Sequence, residues 1–243
     1  MSTLRVSLCL ASLGLALSIA GCESTQSKSE RLSKRGNKAI AAQKGLKITK
    51  QSRAVKILDT AVLSDANGVA AVVVARNTTR QALAGVPISI DVTDGKESLF
   101  RNDDPGLEPS LTSMTTMEGD QTMAWVNDQV SAGRAAKKVK AVVGTATGPP
   151  PKTLPPLEIG KAKLGGDPTS GVAAEGSIRN KSKLLQRKLV LFAVARRGDK
   201  IVAAGRGQVD KLRPGKSAKY QIFFIGNPRG ARIEIAAPPT KAS

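Results

Sequence analysis

From residue 54 onward, hydrophobic positions recur at the spacing of strands. Val69, Ala71, Val73 and Ala75 sit within a continuous apolar, largely β-branched run that ends at Arg76-Asn77-Thr78-Thr79. Val86, Ile88, Ile90 and Val92 follow at strict period two and stop at Asp94-Gly95; alternation of this kind marks a strand with one face buried. Met123, Trp125 and residues 139–143 predict further strands, as do residues 172–179, 189–195, 201–204, 220–225 and 233–236 in the second half. No segment keeps a 3.6-residue period over the length of a helix. Between the halves runs Gly148-Pro149-Pro150-Pro151-Lys152-Thr153-Leu154-Pro155-Pro156. Proline lacks the N–H that sheet pairing needs and favours extended geometry, so residues 148–157 are expected to form a semi-rigid linker.

The two halves repeat one another. Sliding residues 68–100 by 103 positions places Gly68-Val69-Ala70-Ala71 on Gly171-Val172-Ala173-Ala174, Arg76-Asn77 on Arg179-Asn180 and Gly95 on Gly198, without a gap. Strand phase and turn position agree along the whole overlap, so the chain is read as two copies of one all-β unit. Short strands every 8–12 residues in units of roughly 90 residues predict two tandem immunoglobulin-like β-sandwich domains, at residues 54–147 and 158–243.

The amino terminus has a different character. Met1 to Arg5 carries one positive charge, and residues 6–20 form an apolar run too short for the ~20 residues of a membrane span but of the right length for a secretion signal. It ends in Ile19-Ala20-Gly21-Cys22, which resembles the lipobox of bacterial lipoproteins. The resemblance implies cleavage after residue 21 and acylation of Cys22, giving a membrane anchor and an extracytoplasmic location. The alternative is an ordinary secretion signal with a chance cysteine. Cys9 would leave with the signal, so no disulfide is expected within one chain. Residues 22–53 are rich in Ser, Lys and Arg, a composition that buries no core, and are expected to be a disordered basic tether. Such a tether can lie on anionic headgroups or act as a solvated spacer.

Composition removes several chemistries. The 243 residues include no histidine, which excludes the Ser-His-Asp triad and His-ligated metal sites. No paired carboxylates, P-loop or nucleophile elbow stands in a suitable context, so no enzyme, cofactor or metal is expected. The loop Asn102-Asp103-Asp104-Pro105-Gly106 offers oxygens but not the spacing of a calcium loop, and suits a turn. Asn77-Thr78-Thr79 and Asn180-Lys181-Ser182 match glycosylation sequons, but their shared place after a strand favours an Asx-turn.

The net charge of +19 is unevenly placed: residues 54–148 carry −2, residues 149–243 carry +13 and residues 23–53 carry +7. The basic positions of the second copy singled out as candidate binding residues are Arg179, Lys181, Lys183, Arg187, Lys188, Arg196, Arg197, Lys200, Lys211, Arg213, Lys216 and Lys219. Because successive loops of a sandwich alternate between its ends, these charges are expected to be dispersed around the domain. Such a field attracts anionic wall polymer, lipopolysaccharide or phospholipid headgroups, or serves solubility alone. Nucleic acid is disfavoured, because export removes it and the few aromatics, Phe192, Tyr220, Phe223 and Phe224, occupy positions that suit a core.

The second copy also resembles a known family. Gly176-x-x-x-Asn180, Leu189-Val190-Leu191-Phe192, Gly198 at a hairpin and Leu212-x-Pro214-Gly215 are similar to the FxLYD-type immunoglobulin-like domains of bacterial envelope lipoproteins, over residues 171–225. Ala193 stands where the family carries Asp, and the first copy keeps the acid in Ile88-Ser89-Ile90-Asp91 but loses the aromatic residue. The resemblance implies the fold and transfers no catalytic residue. The expected function is that of a non-enzymatic, lipid-anchored envelope protein binding anionic polymers or surfaces through its basic domain. A structural role, or a protein partner met through the immunoglobulin-like modules or an open strand edge, is the other reading.

Overall fold

A computed structural model of the chain describes Ser33 and residues 44–242 apart from 168–170. The apolar signal run, Cys22 and, apart from Ser33, the tether up to residue 43 therefore lie outside the described residues. The chain is all-β. The first copy contains β1 (Val55–Asp65), β2 (Gly68–Asn77), β3 (Leu83–Thr93), β4 (Ser98–Arg101), β5 (Ser113–Met117), β6 (Thr122–Asn127) and β7 (Lys138–Val143), with 3₁₀ turns at Pro109–Leu111 and Gly133–Ala135. The second contains β8 (Leu157–Ile159), β9 (Lys163–Asp167), β10 (Gly171–Asn180), β11 (Gln186–Arg197), β12 (Lys200–Leu212), β13 (Ser217–Phe223), β14 (Ile225–Gly226) and β15 (Arg232–Ala236). All pairings are antiparallel.

Each copy is a sandwich of two sheets. In the first, β1-β2-β6 faces β4-β3-β5, with β7 also on β3; in the second, β13-β10-β8, with β9 also on β10, faces β14-β12-β11-β15. The repeat extends to the irregularities of pairing. The register between β3 and β4 shifts after Val92, and that between β11 and β12 shifts after Ala195, 103 residues later. The copies differ at one edge. Val92 pairs with Phe100 and Leu83 with Met117, whereas their counterparts Ala195 and Gln186 pair with Ala203 and Leu212. Between equivalent strand positions the first copy therefore carries eight more residues, which form the loop and 3₁₀ turn between β4 and β5. Asn102 holds that loop in place of a ladder: its side chain accepts from Ile90 N and donates to Ile88 O and Leu111 O. The acidic loop is thus a turn whose amide is wholly engaged with backbone.

The sandwiches are not separated by the proline segment as a spacer would separate them. Residues 43–243 form one compact unit, and a single apolar cluster joins Val69 to Ala75 of β2 with Val190, Phe192, Val194, Ile201, Ala204 and Ile225 of the second copy. β11 explains how. Leu189, Leu191, Ala193 and Ala195 point into the second sandwich's own core, while Val190, Phe192 and Val194, on the opposite face, enter the seam. Burying each such side chain stabilises the fold by ~1.5–3 kcal/mol. The result is four stacked sheets with β2 and β11 buried on both faces. Residues 44–52, expected to belong to the tether, lie against the first sandwich. Gln51 bridges to Gly144, Lys50 O accepts from Thr145 N, and Ser52 N donates to Val143 O.

Candidate functional site

The predicted basic side chains of the second copy are less dispersed than the alternation of loops implies: eight of the twelve share one end. Most stand at strand ends, and the strand ends form two poles. At one pole the β10–β11 connection meets the β12–β13 turn through Asn180, which is fully buried. Asn180 Nδ2 donates to Leu184 O at 2.8 Å and Leu212 O at 3.2 Å, and Oδ1 accepts from Ser182 N at 2.9 Å and Ser182 Oγ at 2.7 Å. Its backbone N donates to Lys216 O and its O accepts from Gly215 N. Asn77 makes the same set in the first copy, with Gln81 O, Glu118 O, Thr79 N and Thr79 Oγ1. The two sequon-like sequences are thus buried Asx-turns that lock neighbouring loops together.

This lock gathers eight of the predicted cations on one end: Arg179, Lys181, Lys183, Arg187, Lys188, Lys211, Arg213 and Lys216, all exposed. Arg187 and Lys211 are direct cross-strand partners, a repulsive pairing with no structural gain of its own. Lys188 has φ 47°, one of two positive-φ non-glycine residues in the described chain, the other being Asp120. The carboxylates at this end of the second sandwich are Glu158, 2.9 Å from Lys181 Nζ, and Asp210. The hydrogen bond from Lys181 and then its charge hold the Glu158 carboxyl below the usual range.

The other four take different places. Arg197 and Lys200 close the β11–β12 hairpin at the opposite pole. Arg196 is turned inward, 14% exposed, between Asp59 at 3.8 Å and Glu234 at 3.4 Å, and donates to Asp199 O; it links the two copies. Lys219 stands on the outer sheet face, lining a shallow depression with Lys161, Lys163 and Glu175. Of the aromatics expected in the core, Phe192, Tyr220 and Phe224 are buried, but Phe223 is 39% exposed because it lies on the outward-facing phase of β13.

Two features escaped the sequence. Gln186, fully buried, captures the C-terminal tail: its Oε1 accepts from Thr240 N at 2.8 Å and Lys241 N at 3.1 Å, and its Nε2 donates to Lys241 O. That capture adds exposed Lys241 to the basic end. The second is Arg206 on β12, only 9% exposed, which reaches into the first sandwich. It meets Glu108 at 3.0 Å, Asp128 at 3.2 Å and Ser110 Oγ, two of these from the extra loop of the first copy. Burial raises the Asp128 carboxyl above its ordinary value, and the Arg206 charge opposes this only in part. Nothing in the spacing of Arg206 distinguishes it from the exposed cations around it. No protein-family model matches the chain, and no curated protein is significantly similar to it.

Proposed function

We propose that this chain is a non-enzymatic cell-envelope protein, held at a membrane by acylated Cys22, that binds anionic envelope polymers or surfaces through the basic end of its second sandwich. The gathering of eight exposed cations on one end, with Glu158 and Asp210 as the acids beside them, supports this. A solubility role asks only for charges of both signs interspersed. Concentrated single-sign charge creates a field that draws polyanions from a distance set by the Debye length, ~8 Å at physiological ionic strength. The likeness to FxLYD-type domains and the extracytoplasmic location belong to the same proposal, carried by residues 19–22 and 171–225.

The test is co-sedimentation of the Cys22→Ser chain with purified envelope at low and high salt. Retention that salt abolishes, and that reversing Lys181, Lys183, Arg213 and Lys216 to Glu also abolishes, is the expected result. Retention untouched by the reversal would overturn the proposal.

A further inference from the structure

The two sandwiches lie side by side with their ends in common. At one pole Gly226 N donates to Asp65 Oδ2, joining β14 to the β1–β2 hairpin. At the other, Thr116 Oγ1 donates to Pro239 O, and the proline segment crosses from one sandwich to the next. Arg80 and Lys152, both exposed, border one shallow depression there with Leu154. Two residues on, Pro156 O accepts from Lys181 N, whose neighbour Asn180 carries the basic loops. Cations of the first sandwich and the linker are therefore continuous with those of the second.

Resting on the reading above, we infer that this composite end is a docking platform for an anionic phospholipid bilayer, and that the first sandwich contributes Arg80 and Lys152 to it. A bilayer presents a plane of mobile headgroups, and what recognises it is a layer of cations at one level rather than a cleft. The charges at 80, 152, 181, 183, 213 and 216 all stand in exposed connections between strands at this pole, where a flat surface can meet them together. A single-stranded nucleic acid would use a groove with stacking surfaces. The exposed aromatic Phe223 instead lies at the far end of β13, toward the opposite pole. Glu118, Asp120, Glu158 and Asp210 share the face and leave its sign positive.

The experiment uses the full chain in the Cys22→Ser form, with vesicles of phosphatidylcholine alone or mixed with phosphatidylglycerol. Short polyphosphate, too small to span both sandwiches, is the soluble comparison. At about fivefold per cation near an anionic surface, R80Q/K152Q and K181Q/K183Q should each weaken binding to anionic vesicles by roughly thirtyfold at low salt. Only K181Q/K183Q should weaken polyphosphate binding, and phosphatidylcholine binding should not change. If R80Q/K152Q leaves vesicle binding intact while K181Q/K183Q lowers it, the composite platform is wrong and the function proposed above stands. Polyphosphate binding without vesicle binding overturns the bilayer assignment. Loss of neither ligand in any variant overturns both proposals.

Discussion

Arg206 Nη1 lies 3.0 Å from Glu108 Oε2, and the two residues belong to different copies of the repeat. Glu108 sits in the eight residues that the first copy has and the second lacks. The extra loop thus breaks the symmetry of the repeat and also fastens the halves together. Ser110 of the same loop accepts from Trp125 Nε1 through its carbonyl, so the contact is braced from the first sandwich's core.

Arg206→Ala should cost about 2 kcal/mol, chiefly because it leaves the mostly buried Asp128 without its cation, while solvent screens the more exposed Glu108. Arg206→Lys should recover only part, since an ammonium cannot serve three acceptors with the geometry of a guanidinium fork. Chemical denaturation of the three proteins measures this; an Arg206→Ala midpoint equal to the parent's would contradict it.

A shared seam predicts shared unfolding. Phe192→Ala should destabilise by ~3–5 kcal/mol and lower amide-exchange protection in β2 as well as in β11. Loss confined to the second sandwich would mean that the halves open independently.

Glycine positions should separate close approach from backbone conformation. A Cβ at Gly205 would sit 2.0 Å from the backbone oxygen of Phe223, where β12 crosses β13, and backbone cannot step aside. Gly198 has open space around it but φ +60°. Gly198→Ala should therefore cost only about 1–2 kcal/mol, the left-handed penalty, and Gly205→Ala distinctly more. Thermal unfolding of both variants gives the order.

The acid side of the stability curve should carry the sign of Asp128. Its raised value means the native state holds the proton more tightly than the unfolded chain. Its contribution is therefore fully present below the unfolded value and lost as pH rises through the folded one. Asp94 and Glu158, held low by backbone N–H groups and by Lys181 respectively, act oppositely, stabilising above their ordinary values and less as pH falls through the native ones. Relative to Asp128→Asn, the parent should gain stability as pH is lowered from neutral toward 4, roughly the ordinary carboxylate range. Denaturation of both proteins across that interval shows whether the difference widens or stays flat.

Strand phase was legible because Val86, Ile88, Ile90 and Val92 face one core and alternate with polar or small neighbours. The copy boundary was legible through Gly68 and Gly171, each at positive φ at the start of its strand. The seam left a mark too: the unbroken apolar runs at 69–75 and 189–195 are what strands buried on both faces require. Periodicity within one unit cannot say what covers the second face, so the runs predict strands without predicting that the copies touch. Arg206 was illegible for a related reason, since its partners lie 78 to 98 residues away, and two of them, Glu108 and Ser110, stand in a loop with no counterpart in its own copy. The convergence of the cations depended on the Asn180 lock, which period-two reasoning locates but does not fold.

Stacking the sandwiches flank to flank also limits how far the protein can extend. β2 and β10, ten residues each, are ~33 Å long at about 3.3 Å per residue, and the second copy stands beside the first. Duplication has therefore widened the footprint without adding height. With the basic end docked on a bilayer as proposed, strand length rather than the number of copies would set how far the body stands out from that surface, so longer strands, not a further copy stacked on the flank, would be the way for such a molecule to reach farther.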